Sequence, residues 1–151
     1  ESAQSTFISS TFWTERIGPT AALKTIEIME KEESWKKITS TGIKIRNRWK
    51  KLADFYDLKI SFQGIPALIG FTIESKNSRE YKTLISQEML SKGYLAGNNI
   101  YVSIEHTSEI IDGYFEALDG VFKLIKECEN GRDIKKLLKT ELCHTGFRRL
   151  S

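Results

Sequence analysis

The sequence predicts an α+β fold in which a short, largely antiparallel three-stranded sheet is covered on one face by helices. Two observations predict it. Helical and strand-like patterns follow one another in the order α-α-β-β-α-β-α, and the first two strands are joined by a short, hairpin-like turn. The chain has 151 residues, 40% of them hydrophobic, which suffices to bury the core of one small globular domain.

The first helix is predicted to begin near Thr14, a suitable N-cap, because Pro19 fits only the first turns of a helix. Its apolar residues fall on one broad face: Ala21, Ala22, Leu23, Ile26 and Met29. Charged residues fall on the other face, so we expect an amphipathic helix.

A second helix is predicted to begin at Ser34, which suits a cap. One apolar stripe over 35–56 follows at spacings of three and four: Trp35, Ile38, Gly42, Ile45, Trp49, Leu52 and Tyr56. Gly42 leaves a gap in this stripe, where we expect another segment to approach closely.

The helical spacing of apolar residues then ends. β-Branched and aromatic residues dominate 58–75, and Gly64 and Pro66 interrupt them, which is typical of strands. Asn77 or Ser78 is expected to cap the next helix, and Thr107 and Ser108 head the long one. The predicted elements are two strands within 58–75, a helix at 77–92, a strand at 98–104, a helix at 107–127 and a short helix at 133–139.

The composition narrows the classes of function. A net charge of +3, from 23 basic and 20 acidic residues, is too low for a dedicated nucleic-acid binder. No segment has the length and apolarity of a membrane span. Cys128 and Cys143 form neither a CxxC pair nor a disulfide framework, which predicts a cytoplasmic protein. The chain begins "ESAQST", so we expect either a removed leader or a piece of a longer protein.

The stretch "SSTFWTE" places the hydroxyls of Ser9, Ser10, Thr11 and Thr14 just before a helix. Hydroxyls and free N–H groups at a helix N-terminus suit a phosphate. The same residues also serve as plain helix caps. No glycine-rich cradle or lysine follows, so local sequence alone favours capping.

Other polar residues are weaker candidates. The second helix carries a basic face over 36–51, which is more often a solvated surface than a nucleic-acid site: Lys36, Lys37, Lys44, Arg46, Arg48, Lys50 and Lys51. His106 and His144 match no zinc spacing, so we expect no metal ion. Cys143 and His144 are adjacent, and neighbours on an extended chain point apart. Arg148 and Arg149 suit a carboxylate partner.

Two stretches resemble a known family: "STFISSTFWTERIGPTAALKTIEIM" at residues 5–29 and "TSEIIDGYFEALDGVFKLI" at 107–125. They are similar to the C-terminal part of class-III pyridoxal-phosphate (PLP) aminotransferases, close to the glutamate-1-semialdehyde aminomutase branch. The resemblance extends over essentially the whole chain and is most specific at residues 5–29. It implies a small C-terminal domain of a PLP-dependent transferase fold.

The resemblance also implies a cofactor contact. The family's turn threonine matches Thr11, with Ser10 beside it, and reaches the phosphate of PLP held mainly by the other subunit of a homodimer. The family's usual Gly-Thr and Asn-Pro are absent here. Phe12 and Trp13 follow Thr11 instead, which implies an altered substrate entrance.

The implied organisation is a phosphate-contact turn and linking helix at 1–33, followed by a small domain at 34–151. The Schiff-base lysine is expected upstream, so no catalytic residue is expected in this chain, which would be inactive alone. The implied substrate is a small amino acid or an amino-aldehyde or keto compound. Two alternatives stay open: an interaction module that uses the stripe 35–56, and a weak nucleic-acid binder that uses the basic face 36–51.

Overall fold

The computed structural model describes residues 15–144, which form four helices, a three-stranded sheet and one 3-10 turn. Their contacts divide into two compact units, the first ending at Ser34 and the second beginning at Trp35. The division of the parent protein into domains at 1–33 and 34–151 stays a prediction.

The described part of the first unit is essentially helix α1, Ile17–Glu32. Pro19 lies in its first turn, as predicted, where no intrahelical N–H bond is lost. The helix ends where Glu33 adopts a left-handed conformation with φ 49° and ψ 41°. None of its side chains is buried, so its apolar face contributes nothing to a described core.

Helix α2, Ser34–Phe55, supplies one wall of the core of the second unit. Ile45, Trp49 and Ala53 are buried on its predicted apolar stripe. The predicted cap at Ser34 is wrong. Ser34 is already the first helical residue, and its buried hydroxyl makes no hydrogen bond.

The sheet has the order β1-β2-β3, with both pairs antiparallel. Its strands are β1, Ile60–Ile65; β2, Leu68–Ile73; and β3, Asn99–Tyr101. β3 is shorter than the predicted 98–104 because the chain leaves the sheet beyond Val102. The Ser103 N–H then donates to His106 Nδ1 rather than to a strand.

Helices α3, Ser78–Ser91, and α4, Ser108–Glu129, complete the core. The Thr107 hydroxyl caps α4 by accepting from the Ile110 N–H at 3.3 Å, as its position predicts. Asn77 occupies the N-cap position of α3 but makes no side-chain cap bond, so capping by its side chain is wrong. The predicted helix at 133–139 is only a 3-10 turn, Ile134–Lys136.

The helices cover one face of the sheet, and the predicted α+β class is confirmed. Alternate residues of β2 enter the core, namely Ile69, Phe71 and Ile73. They pack with residues of α2, α3 and α4 in a single cluster. Two large apolar residues of these helices, Leu90 of α3 and Ile110 of α4, are exposed.

Gly42 is where α2 meets the β1–β2 turn. A Cβ atom at this position would lie 1.9 Å from the Pro66 carbonyl oxygen and 2.6 Å from its carbonyl carbon. The close approach expected from the gap in the stripe is therefore confirmed, and the segment that approaches is the turn. Only glycine lets the helix backbone lie this near another backbone.

We predict that Gly42→Ala destabilises the chain by about 3 kcal/mol, because a backbone carbonyl cannot move aside as a flexible side chain can. Urea unfolding followed by tryptophan fluorescence measures this loss. The matched control is Gly97→Ala, whose new Cβ would meet only Ser86 Oγ at 3.5 Å. Equal midpoints for the two variants would refute the close approach.

The start of α3 and the end of α4 are joined by hydrogen bonds to Glu129. The Tyr81 hydroxyl donates to Glu129 Oε1 at 2.6 Å and the Ser75 hydroxyl donates to it at 2.7 Å. The Tyr81 bond, then the Ser75 bond, lower the pKa of Glu129 from its usual 4.5. Both bonds favour the ionised carboxylate.

We predict that Glu129 stabilises the fold above its unfolded-state pKa, and that this contribution is lost as the pH falls through the lowered folded-state pKa. Glu129→Gln should reduce the urea midpoint more at about pH 7 than at about pH 3.5. Glu127→Gln is the control, since Glu127 pairs with Arg132 and makes no bond to Tyr81. A Glu129→Gln effect independent of pH would count against this linkage.

Candidate functional site

The residues expected to contact PLP phosphate, Ser10 and Thr11, lie outside the described residues. The same holds for Thr14 and for Arg148 and Arg149. The structure does describe the N-terminus of helix α1, which follows the stretch "SSTFWTE" in the sequence. Its geometry decides whether helix α1 itself is available to an anion.

Glu15 caps helix α1. Its carboxylate accepts from the Ile17 N–H at 2.5 Å and from the Gly18 N–H at 2.9 Å. The N-cap residue is Arg16, so α1 begins after the predicted start near Thr14, which itself lies outside the described residues. An acid at this position was visible in the sequence, because carboxylates favour helix N-termini.

This cap bears on the predicted phosphate contact at the turn. Two N–H groups at the helix N-terminus already have an anionic partner, and the Glu15 carboxylate offsets the positive end of the helix dipole. The helix is therefore not an open anion site. Any phosphate contact would depend on the hydroxyl and N–H groups of Ser10 and Thr11 themselves.

Two residues of the basic face of α2, Arg48 and Lys50, are engaged within the fold. Arg48 forms an ion pair with Asp112, and its guanidinium lies 4.2 Å from the centre of the Phe115 ring. Lys50 pairs with Asp54 at 2.9 Å. These contacts lower the cationic character of the face, which disfavours its use as a nucleic-acid site.

The apolar stripe of α2 is also used internally. Trp49 has no exposed surface and Ile45 is 2% exposed, both within the core. Ile38, Leu52 and Tyr56 pack against the same core, whereas Trp35 at the beginning of the helix is exposed. The stripe therefore does not offer a continuous surface to a partner protein.

The histidines and cysteines form no shared site in the described chain. His106 Nδ1 accepts a hydrogen bond from the Ser103 N–H at 3.0 Å, which is a turn contact. Cys128 and Cys143 are both free thiols. Across residues 15–144, no group of three or more potential metal ligands is found, and no helix is long and apolar enough to cross a membrane.

A contact that sequence reasoning missed binds the end of the described chain to α3. The Cys143 N–H donates to Thr83 Oγ1 at 3.0 Å, and Arg79 Nε donates to the Cys143 carbonyl at 2.7 Å. Gln87 Nε2 donates to the Leu137 carbonyl at 2.9 Å. No local pattern signals these bonds, because they join residues at least 50 positions apart.

The chain was compared with known proteins by sequence and by structure, and the two comparisons found related kinds of protein. The chain is 27% identical over 124 residues to the 3-aminobutyryl-CoA aminotransferase of Cloacimonas acidaminovorans, and the match covers 77% of this chain. Its structure matches the PLP internal aldimine form of the Sphingopyxis sp. MTA144 FumI protein, with a TM-score of 0.72 over 90% of this chain and 16% identity.

The chain has the fold of part of a PLP-dependent protein. The two likenesses together support a relationship to PLP-dependent aminotransferases. The matched region covers only 29% of the aminotransferase and 34% of the FumI chain. No protein-family profile matches the chain.

We predict that Glu15→Ala weakens the first turn of α1 by about 1 kcal/mol, because two N–H groups lose their acceptor. Hydrogen exchange at the Ile17 and Gly18 amides, followed by NMR, should then accelerate about fivefold. Glu27→Ala is the control, since Glu27 pairs only with Lys24 on the exposed helix surface. Unchanged exchange at both amides in Glu15→Ala would show that Glu15 is not the cap.

Proposed function

We propose that this chain is the C-terminal small-domain portion of a PLP-dependent class-III aminotransferase or aminomutase. The observation that carries the proposal is the agreement between the aminotransferase likeness in sequence and the PLP-protein likeness in fold. The order of elements adds support, since it was predicted from the residue patterns and is similar to the order in that family.

The proposed parent transfers or shifts an amino group on a small amino acid or an amino-aldehyde or keto substrate. It is a cytoplasmic homodimer, and its Schiff-base lysine lies upstream of this chain. The glutamate-1-semialdehyde aminomutase branch is the finer proposal, supported by the resemblance at residues 5–29. On this proposal the 151-residue chain is inactive alone.

PLP, when bound, supplies an electron sink for chemistry at the carbon that bears the amino group. In this chain Thr11 would donate its hydroxyl and N–H groups to the cofactor phosphate of the other subunit, with Ser10 assisting. Helix α1 does not fit as a further donor, because Glu15 occupies its Ile17 and Gly18 N–H groups. The proposed binding of the cofactor phosphate by this chain therefore depends on Ser10 and Thr11 alone.

The small domain would shape and close one side of the active site. Among the described residues, helices cover only one face of its sheet. On the opposite face Leu68 is 40% exposed and its partner across the strands, Tyr101, is 78% exposed. Apolar residues paired on an open face support burial against the remainder of the parent, where they would exclude water from the site.

We predict that Thr11→Ala weakens retention of PLP by the parent protein, because the phosphate loses a hydroxyl donor worth about 1–2 kcal/mol. The measurement is the visible absorbance of bound cofactor that remains after PLP addition and dialysis. Ser9→Ala is the matched control, since it removes a hydroxyl from the same turn at a position that is not expected to contact phosphate.

The expected result is a retained band in the parent and in Ser9→Ala, a weaker band in Thr11→Ala, and none in the 151-residue chain alone. A folded parent without any retained band would overturn the PLP proposal. Equal retention in Thr11→Ala and Ser9→Ala would overturn the role of Thr11 while leaving the PLP proposal standing.

A further inference from the structure

A cavity with both polar and apolar lining residues lies between helix α3, the sheet and the end of the described chain. Its volume is about 530 Å³, and it is partly open to solvent. Arg79 and Lys82 of α3 line it, together with Gln63 of β1 and Asn99 of β3. None of these four residues is among those expected to contact PLP.

The charge in the cavity is one-sided. No aspartate or glutamate of the described chain lines it, whereas Arg79 and Lys82 do. Arg79 and Lys82 are three residues apart on α3, so two like charges lie on one helix face. Among the described residues, neither of them forms a salt bridge. The pair therefore keeps a positive potential that an anion would relieve.

Another cavity of similar size provides a contrast. It has a volume of about 590 Å³ and is lined by three basic residues, Arg46, Lys50 and Lys59, and by three acidic ones, Asp54, Asp57 and Glu74. Its charges balance, and Lys50 bonds directly to Asp54. The excess of positive charge at Arg79 and Lys82 is therefore a property of that one cavity and is not shared by the other cavity of similar size.

The Arg79 side chain is held in place. Its Nε donates to the Cys143 carbonyl at 2.7 Å, and Cys143 is itself anchored because its N–H donates to Thr83 Oγ1 at 3.0 Å. Nε is thereby committed to the protein, whereas the two terminal nitrogens make no hydrogen bond within residues 15–144. A guanidinium anchored in this way loses less side-chain entropy when it binds an oxyanion.

Neutral donors line the other side of the cavity because β2 has a glycine there. A Cβ atom at Gly70 would lie 2.0 Å from Asn99 Oδ1 and 2.9 Å from Gln63 Nε2. The amides of Gln63 and Asn99 therefore lie across the strand in space that any other residue would fill. Amide groups at this position add hydrogen-bond donors without adding negative charge.

We propose that this cavity binds a small molecule bearing a carboxylate or phosphate group, with Arg79 and Lys82 as its charge partners. The amides of Gln63 and Asn99 supply neutral hydrogen bonds to the same ligand. An oxyanion is the matching chemistry because Arg presents a planar fork of donors and Lys adds a point charge. The proposal is independent of the aminotransferase proposal, since it uses no cofactor and no residue before Gln63.

The test is an NMR titration of the isotopically labelled 151-residue chain at constant ionic strength. Inorganic phosphate and succinate are the two probes, with chloride as the reference anion. Amide shifts that saturate and centre on Thr72, Arg79 and Asn99 are the expected result. The probe that saturates at the lower concentration identifies the preferred oxyanion.

Lys82→Gln should raise the apparent dissociation constant of the better probe at least about threefold, through the loss of one charge partner. The Lys82 ammonium bonds to no other side chain of the described region, so this variant should keep the fold, which circular dichroism checks. Arg79→Lys keeps the charge but removes the fork, and it should weaken binding as well. Lys59→Gln is the matched control from the charge-balanced cavity and should leave the constant unchanged.

Two outcomes would overturn the proposal. One is shifts that rise linearly with both probes and spread over all exposed lysines, which indicates general ion association. The other is saturable binding that Lys82→Gln and Lys59→Gln weaken equally, which places the anion elsewhere. Neither outcome bears on PLP retention by the parent, so failure here is distinct from failure of the proposed function.

Discussion

The structure of the second unit depends on the burial of Trp49. This side chain has no exposed surface, and its ring centre lies 4.7 Å from that of Phe71 on the central strand. Its indole N–H donates to the Tyr114 hydroxyl at 3.0 Å, so one residue joins α2, β2 and α4. Burial raises the pKa of the Tyr114 phenol, so this group stays neutral within the core.

That arrangement determines what the rest of α2 can do. With Trp49 inside, residues on the same helix face turn inward as well, and the basic face must turn outward. Arg48, the residue before Trp49, then lies over the Phe115 ring and pairs with Asp112. These two contacts join α2 to α4. Both alternative functions suggested for α2 meet the same constraint, because the fold itself uses most of the apolar stripe and pairs Arg48 and Lys50 of the basic face.

The sequence predicted the order of elements and the helical faces well, because these follow from periodicity. It predicted the close approach at Gly42, because a missing side chain within an apolar stripe leaves room that the packed core fills with a neighbouring backbone. The caps were predicted less well. Thr14, Ser34 and Asn77 suit caps by residue type, but capping requires the right backbone angles at the right position, and these depend on the neighbouring residues.

The remaining differences come from contacts between distant residues or from local turns. β3 ends early because His106 accepts the bond from Ser103, a turn that strand propensity does not indicate. Ile110 lies in the first turn of α4 and is exposed, whereas the next residue, Ile111, is buried. The cavity at Arg79 joins β1, α3 and residues near Cys143, which no local pattern connects. The Thr11 contact with phosphate stays a prediction.

The titratable groups with shifted pKa values have a structural role in the described chain. Functional sites usually hold groups with shifted pKa values that face a substrate. Here the shifted groups are bound within the fold. Burial and then the Glu129 bond raise the pKa of Tyr81 to about 12, and burial raises the pKa of the Cys128 thiol. Such groups serve stability, whereas Arg79 and Lys82 line a cavity that is partly open to solvent. The proposed function assigns the bond-making groups to residues upstream of this chain, which agrees with the structural role of these shifted groups.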